Sequence, residues 1–293
     1  MDSRTSFKAK ASERVIELRG GRRLSLAAPL VMGIVNVTPD SFYDGGRYDT
    51  PDAIRDRVGQ LLNEGADILD VGGESSRPGA NPVGPDVELQ RVIPAIEAIR
   101  KISDCCISVD TYRAATAQAA IEAGADMVND ITALNGDPDM AAVLLDHDVP
   151  AVLMHMKGRP VDMQNNPTYE DCLSEIEAFF EERLSHCDRL GLDRSRVILD
   201  PGIGFGKRLQ DNLQILARLA RFGKFGCPLL VGASRKSFMG KLSDGMASAE
   251  DRLGGSIAAA LMAVRAGADI LRVHDVGETV GALKVMQAVK ESE

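Results

Sequence analysis

Three stretches of this chain are nearly one sentence: EGADILDV at residues 64–71, AGADMVND at 123–130 and AGADILRV at 266–273. Each reads as a helix end, a glycine stop, a short apolar strand and a polar tip. A chain that leaves a helix and enters a strand the same way three times is committed to a βα alternation. The alternation can be followed throughout. Apolar runs at 30–35, 66–71, 107–110, 126–129, 151–155, 197–200, 229–231 and 270–273 read as strands. A helix follows each. The first is opened by Thr50-Pro51-Asp52 and carries Ala53, Ile54, Val58, Leu61 and Leu62 at helical spacing. The others run over 88–102, 114–123, 139–146, 169–190, 209–220, 249–266 and 278–290. Eight such units without a linker predict an α/β fold, a (β/α)8 TIM barrel in preference to an open doubly wound sheet. Ahead of them, residues 15–18 and 24–26 flank Arg19-Gly20-Gly21-Arg22 and read as an N-terminal β-hairpin that could plug one end of the barrel. Residues 1–12 are polar and read as a disordered tail, leaving one domain over 13–293.

Composition narrows the partners. A net charge of −9 argues against nucleic acid or an anionic membrane. The five cysteines are scattered, without a CxxC or Cys/His cluster, so neither a disulfide framework nor a zinc site is expected. A reduced, cytoplasmic setting follows. The N-terminal stretch has basic residues but no apolar core for a signal peptide, and no run is long enough to span a bilayer.

In a barrel of this kind the functional groups come from the C-terminal ends of the strands. Those ends supply Asn36, the run Glu74-Ser75-Ser76-Arg77, Asp110, Asn129, His155, Asp200, Ser234-Arg235-Lys236, and Arg272 with His274. Any one of them could simply cap a helix or close a strand-end hydrogen bond. Together they form a mixed set. Asp110, Asn129 and Asp200 offer donors and acceptors suited to a flat edge such as that of a fused heterocycle. Arg77, Lys236, Arg272 and His274 suit phosphate or carboxylate. Asn36, beside a diphosphate, could offer Mg²⁺ a neutral oxygen. No Ser–His–Asp order or covalent nucleophile stands at the tips, so hydrolase chemistry has little support. A displacement at an activated, diphosphate-bearing carbon needs orientation and leaving-group stabilisation, and these residues can supply both.

The motifs MGIVNVTPDSFYDGG, GGESSRPG, SVDTYRA, NDI, MHMKG, DPGIGFGK, GASRKSFMG and RVHDV occur in that order between Leu30 and Val276. As an ordered set they resemble the dihydropteroate synthase family. The resemblance implies a (β/α)8 barrel that joins 6-hydroxymethyl-7,8-dihydropterin diphosphate to p-aminobenzoate in folate biosynthesis, with Mg²⁺ as cofactor and a homodimer as the usual assembly. It implies a pterin pocket of Asp110, Asn129, Asp200 and Lys236, with Asp200 as the anchor because a carboxylate can accept two hydrogen bonds from the pterin's 2-amino and N3 edge. Asn36 would sit by the metal and the diphosphate, Arg272 and His274 would bind the diphosphate, and Ser234 would face p-aminobenzoate. Lys236, Arg272 and His274 make the catalytic set. Ser76 and Arg77 on one loop, and Phe42 on the loop over 38–47, would close over the pterin and build the p-aminobenzoate site.

Two departures stand out. Ser76 occupies a position where the family commonly has Thr, and Tyr43 one where a small Ser is frequent. Ser keeps the hydroxyl and gives up a methyl contact worth about 1 kcal/mol, so altered loop packing is expected, not lost activity. A methyltetrahydrofolate–corrinoid methyltransferase would share Asp110, Asn129 and Asp200 but would not need the cations of SRKS and RVHD for a diphosphate. A non-catalytic pterin-binding relative should lack one of these groups, and none is visibly missing.

Overall fold

Side chains alternate along a strand, and here the two sets enter different cores. The strands concerned are β3 (Leu30–Asn36), β4 (Ile68–Gly72), β5 (Cys106–Asp110), β6 (Met127–Asp130), β7 (Ala151–Met154), β8 (Val197–Asp200), β9 (Leu230–Val231) and β10 (Ile270–Val273). Val31, Leu69, Ile107, Val128, Leu153, Leu199, Val231 and Leu271 pack with the helices in a large outer core. Leu30, Met32, Ile68, Cys106, Met127, Val152, Ile198, Leu230 and Ile270 form a second core of their own. A sheet with a separate core on its inner side has rolled up on itself. Pairing agrees, for the eight strands run parallel in the order β8-β7-β6-β5-β4-β3-β10-β9, and a bridge between Leu199 and Leu229 joins the two ends. The computed structural model describes residues 14–38, 51–77, 79–242, 248 and 250–292, without the side chains of 51, 52 and 250. The expected tail over 1–12 and Phe42 lie outside the described residues.

The thrice-used phrase has one structural meaning. Gly65, Gly124 and Gly267 have φ of 100°, 121° and 100°, a backbone that L side chains rarely adopt. After each, an Ala N–H reaches back to the carbonyl five residues earlier, from Ala66 to Leu61, Ala125 to Ala120 and Ala268 to Ala263. The Asp that follows then accepts a backbone N–H from the foot of the neighbouring strand. Asp67 takes Val31 at 2.8 Å, Asp126 takes Ile107 at 2.9 Å and Asp269 takes Leu229 at 2.9 Å. The motif therefore stops a helix and sets strand register in one step.

The hairpin is present as β1 (Val15–Glu17) and β2 (Arg23–Ser25), paired antiparallel. Ile16 and Leu18 enter the inner core, with Leu24 and Leu26 against it, at the N-terminal ends of the barrel strands. Arg14 pairs with Asp269 and Arg22 with Asp126 on either side, so the hairpin is pinned as a floor.

The helices are α1 (Pro51–Glu64), α2 (Pro85–Arg100), α3 (Ala114–Ala123), α4 (Met140–His147), α5 (Cys172–Leu190), α6 (Leu209–Ala217), α7 (Leu253–Arg265) and α8 (Val276–Glu291). The differences from the sequence reading are at their ends. α5 starts at Cys172, three residues later than expected, because the Asp171 carboxylate caps it by accepting from Leu173 and Ser174. α6 gives way to a 3-10 stretch over Leu219–Phe225, and a 3-10 turn over Glu250–Arg252 precedes α7. α2 begins earlier, with Pro85 at its first position, where a missing N–H costs nothing.

Candidate active site

The inward rows change character as they rise. Asp70 follows Ile68, Ser108 and Asp110 follow Cys106, Asn129 follows Met127, Asp200 follows Ile198 and Arg272 follows Ile270. Apolar floor gives way to a polar ceiling at the C-terminal ends of the strands. Register aligns Asn36 with Gly72, Gly72 with Asp110 and Asp110 with Asn129 around one side of the rim.

Arg272 is the hub. Its Nε donates to Asp70 Oδ2 at 2.6 Å and its Nη2 to Asp110 Oδ2 at 2.7 Å. Asn129 Nδ2 donates to the same Asp70 oxygen at 3.2 Å. Burial works against the guanidinium charge, but the two carboxylates more than offset it and raise its pKa. Burial likewise pushes the Asp110 carboxyl up, with Arg272 pulling the other way. Asp70 is fully buried, and its Oδ1 has no hydrogen-bond partner among the described residues. That residue was not singled out from the sequence. The available signal was its parity, for it shares an inward row with Ile68 in the middle of a strand.

Asp200 and Lys236 face the same space from β8 and from the loop after β9. Asp200 Oδ1 accepts the Gly202 N–H at 2.7 Å, while burial lifts the carboxyl to about 6. The Lys236 ammonium lies 4.0 Å from the Phe205 ring centroid, a cation–π contact. Burial, aided by Arg272, lowers Lys236 to about 8. Phe205, Ile131, Met154 and Met163 form an apolar cluster beside these charges. The result is a polar edge, a cation and an apolar wall side by side at the strand tips.

The β8–α6 loop that carries Phe205 is tightly seated. A Cβ on Gly202 or Gly206 would come within 2.0 Å of the His155 or Lys157 carbonyl oxygen. Lys207, only 2% exposed, fastens it by donating to the carbonyls of His155 and Phe205 at 3.1 Å each, with His155 Nδ1 at 3.0 Å. Burial brings this ammonium to about 7. The strand-tip His155 is thus packed into the scaffold, edge-on to Phe179.

Ser234 and His274 meet between β9 and β10. Ser234 Oγ stands 3.1 Å from His274 Nδ1 and accepts the His274 backbone N–H at 3.2 Å. The neighbouring Arg235, with φ of 56°, engages Asp275 through both Nε and Nη2. Of the two cations in SRKS, Lys236 therefore lies on Phe205 beside Asp200 and Arg235 ties the two strand tips together. Burial, then Arg272, Arg235 and Arg77, bring His274 down to about 3.

Ser76 and Arg77 lie on the β4–α2 loop, Arg77 exposed and Ser76 half-buried. The loop is rooted by an ion-pair network that the sequence reading missed. Arg113 binds Glu74 at 2.8 Å and Glu88 at 2.6 Å, and Tyr112 donates to Glu74 at 3.0 Å. Further along, the Gly79 N–H donates to the Pro160 carbonyl at 3.0 Å. Beneath this loop a cleft of about 440 Å³ opens between Glu74, Tyr112, Ile131, Met154 and Phe179. Among the described residues no group of three or more His, Cys, Asp or Glu could hold a metal ion, and no helix is long and apolar enough to cross a membrane.

Comparison with known proteins agrees with this fold. A family described as pterin binding enzyme matches residues 32–274. The dihydropteroate synthase of Escherichia coli strain K12 is 46% identical over 269 residues, covering 92% of this chain and 94% of that protein. A structure of the Xanthomonas albilineans dihydropteroate synthase with 4-aminobenzoic acid superposes with a TM-score of 0.89 at 46% identity, covering 95% of this chain and 99% of that one. A structure of that bacterium's enzyme in complex with 7,8-dihydropteroate gives 0.85 at 44% identity, covering 94% and 98%.

Proposed function

The chain belongs to the pterin-binding enzymes, among the dihydropteroate synthases, and from that premise we propose how its strand tips join 6-hydroxymethyl-7,8-dihydropterin diphosphate to p-aminobenzoate. The products are 7,8-dihydropteroate and diphosphate. The observation that carries the assignment of roles is the Arg272 hub. A guanidinium held by Asp70 and Asp110 stands beside Asp200 and Lys236 at the mouth of the barrel. Asp200 accepts from the pterin's 2-amino and N3 edge, Asn129 and Asp110 complete that edge, and Lys236 lies on the ring side of the pocket with Phe205. Arg272 and His274 take the diphosphate as the C–O bond breaks and its electron pair leaves with the phosphate oxygen. The p-aminobenzoate amine then forms the C–N bond with its lone pair and gives up one N–H proton, which passes to the departing diphosphate or to water. Ser76 and Arg77 are assigned to the p-aminobenzoate side, where a closed loop keeps water from the exposed carbon. Ser234, with its hydroxyl on His274, acts through that residue.

Among the described residues a metal fits in one way. No all-protein cage of acids exists among the described residues, whereas the Asn36 amide on the rim offers one hard, neutral oxygen. Mg²⁺ commonly keeps waters and substrate phosphates as its other ligands, so Asn36 would hold an ion that arrives with the diphosphate. When bound, that ion neutralises part of the leaving group's charge.

The partner we infer is a second copy of this chain. The small-residue face of α7 is divided, with Ala259 and Ala260 turned to the core and Ala258 and Met262 outward. Met262, Leu253, Val285 and Val289 leave exposed apolar surface on α7 and α8. Five unpaired thiols support a reducing, cytoplasmic setting. Purified protein with Mg²⁺ and both substrates should release diphosphate and dihydropteroate one to one, and should sediment at twice 31.4 kDa. Pterin binding without turnover would make it a binding protein, and sedimentation at the monomer mass would remove the dimer.

A further inference from the structure

The tips of β9 and β10 are stitched residue to residue, Ser234 to His274 and Arg235 to Asp275. The first pair has one arrangement that satisfies the hydroxyl, Nδ1 and the backbone N–H together. A serine hydroxyl carries one proton and two lone pairs. The His274 backbone N–H, at 3.2 Å, already occupies one lone pair of Ser234 Oγ. Were Nδ1 protonated, Oγ would have to accept a second time, and its own proton would face no acceptor among the described residues at a position only 6% exposed. Donation of that proton to Nδ1 at 3.1 Å satisfies both the hydroxyl and Nδ1. We propose that Ser234 is a positioning residue that fixes His274 as the neutral Nε2–H tautomer, so that His274 meets diphosphate as a hydrogen-bond donor and not as an imidazolium.

The charges around the ring point the same way. Arg272 on β10, Arg235 after β9 and Arg77 on the β4–α2 loop all disfavour a further positive charge there, and Asp275 at the head of α8 opposes them. From α1, Arg57 donates to the His274 carbonyl at 3.2 Å. Asp275 is itself engaged by Arg235. Burial adds to the effect. A neutral imidazole is a poor proton donor but a good hydrogen-bond donor. The diphosphate accordingly departs as an anion, with its charge met by Arg272 and one directed N–H from His274, and no proton passes from the imidazole. This role rests on diphosphate being the ligand, as proposed above, whereas the tautomer does not.

The test is ¹⁵N NMR of histidine-labelled protein at pH 7, alone and with Mg²⁺ and inorganic diphosphate. The four histidines are separated by loss of one signal set in His274→Gln. The expected result is an unprotonated Nδ1 and a protonated Nε2 in both states. A proton on Nδ1, or on both nitrogens with diphosphate bound, overturns the proposal. Because the spectrum of the free protein needs no turnover, a failed assay and a failed tautomer are separate outcomes. Ser234→Ala should lower kcat by about 10- to 100-fold, leave the KM for p-aminobenzoate unchanged and mix the two tautomers. A raised KM for p-aminobenzoate with kcat intact would assign the hydroxyl to that substrate instead.

Discussion

Arg272→Ala should lower kcat/KM by at least about 10³-fold and cost about 3–5 kcal/mol of stability. The two losses have different origins. Activity falls because the guanidinium is the charge that meets the leaving diphosphate. Stability falls because Asp70, with no exposed surface, and Asp110 would be left facing each other without the cation that now binds both. Removing one partner of a buried pair leaves an uncompensated charge, which is where most of the cost arises. The double variant Arg272→Ala with Asp70→Asn separates the two. Its urea midpoint should recover much of the loss, since one buried charge is gone, while its activity stays at the level of the single variant. Activity that returned with stability would mean that Arg272 is scaffold alone.

The second large effect is on Lys236 and Asp200. Asp200 accepts from the pterin edge only as a carboxylate, so kcat/KM should fall as pH drops through about 6. Lys236 carries its charge only while protonated, so kcat/KM should fall again as pH rises through about 8. Lys236→Ala should reduce kcat/KM by about 10²- to 10³-fold and flatten the alkaline limb. Asp200→Asn should abolish pterin binding. It should also be at least as stable as the parent at pH 7. The sign follows from the upward shift. A carboxyl raised to about 6 in the folded state contributes stability that is full below its unfolded value near 4 and lost as pH rises through about 6. At neutral pH Asp200 is a cost that the fold carries for its ligand. An alkaline limb that persists unchanged in Lys236→Ala would assign it to another group.

The barrel was legible because its signals are local. Glycine stops, apolar runs and the repeated Gly-Ala-Asp phrase each act within ten residues, and the structure shows why Asp67, Asp126 and Asp269 recur. The strand-tip residues were legible for the same reason, since position at a strand end can be counted. Partnerships across the barrel could not be. Asp70 and Arg272 are 202 residues apart, and only closure of the ring brings them to 2.6 Å. Lys207, which the strand-tip reading did not single out, is another case, for the fold turns it onto the carbonyls of His155 and Phe205. Arg235 and Ser234 divide similarly. A run of polar residues announces a site, but which side chain faces the ligand is decided by the strand beside it.

The central claim is one of placement, and a crystal structure of the protein with Mg²⁺ and 6-hydroxymethyl-7,8-dihydropterin diphosphate tests it most directly. The pterin's amino edge is expected on Asp200, its ring beside Lys236 and Phe205, and its diphosphate at Arg272 and His274. A pterin seated instead in the 440 Å³ cleft between Tyr112, Ile131 and Phe179, with the diphosphate away from Arg272, would contradict it.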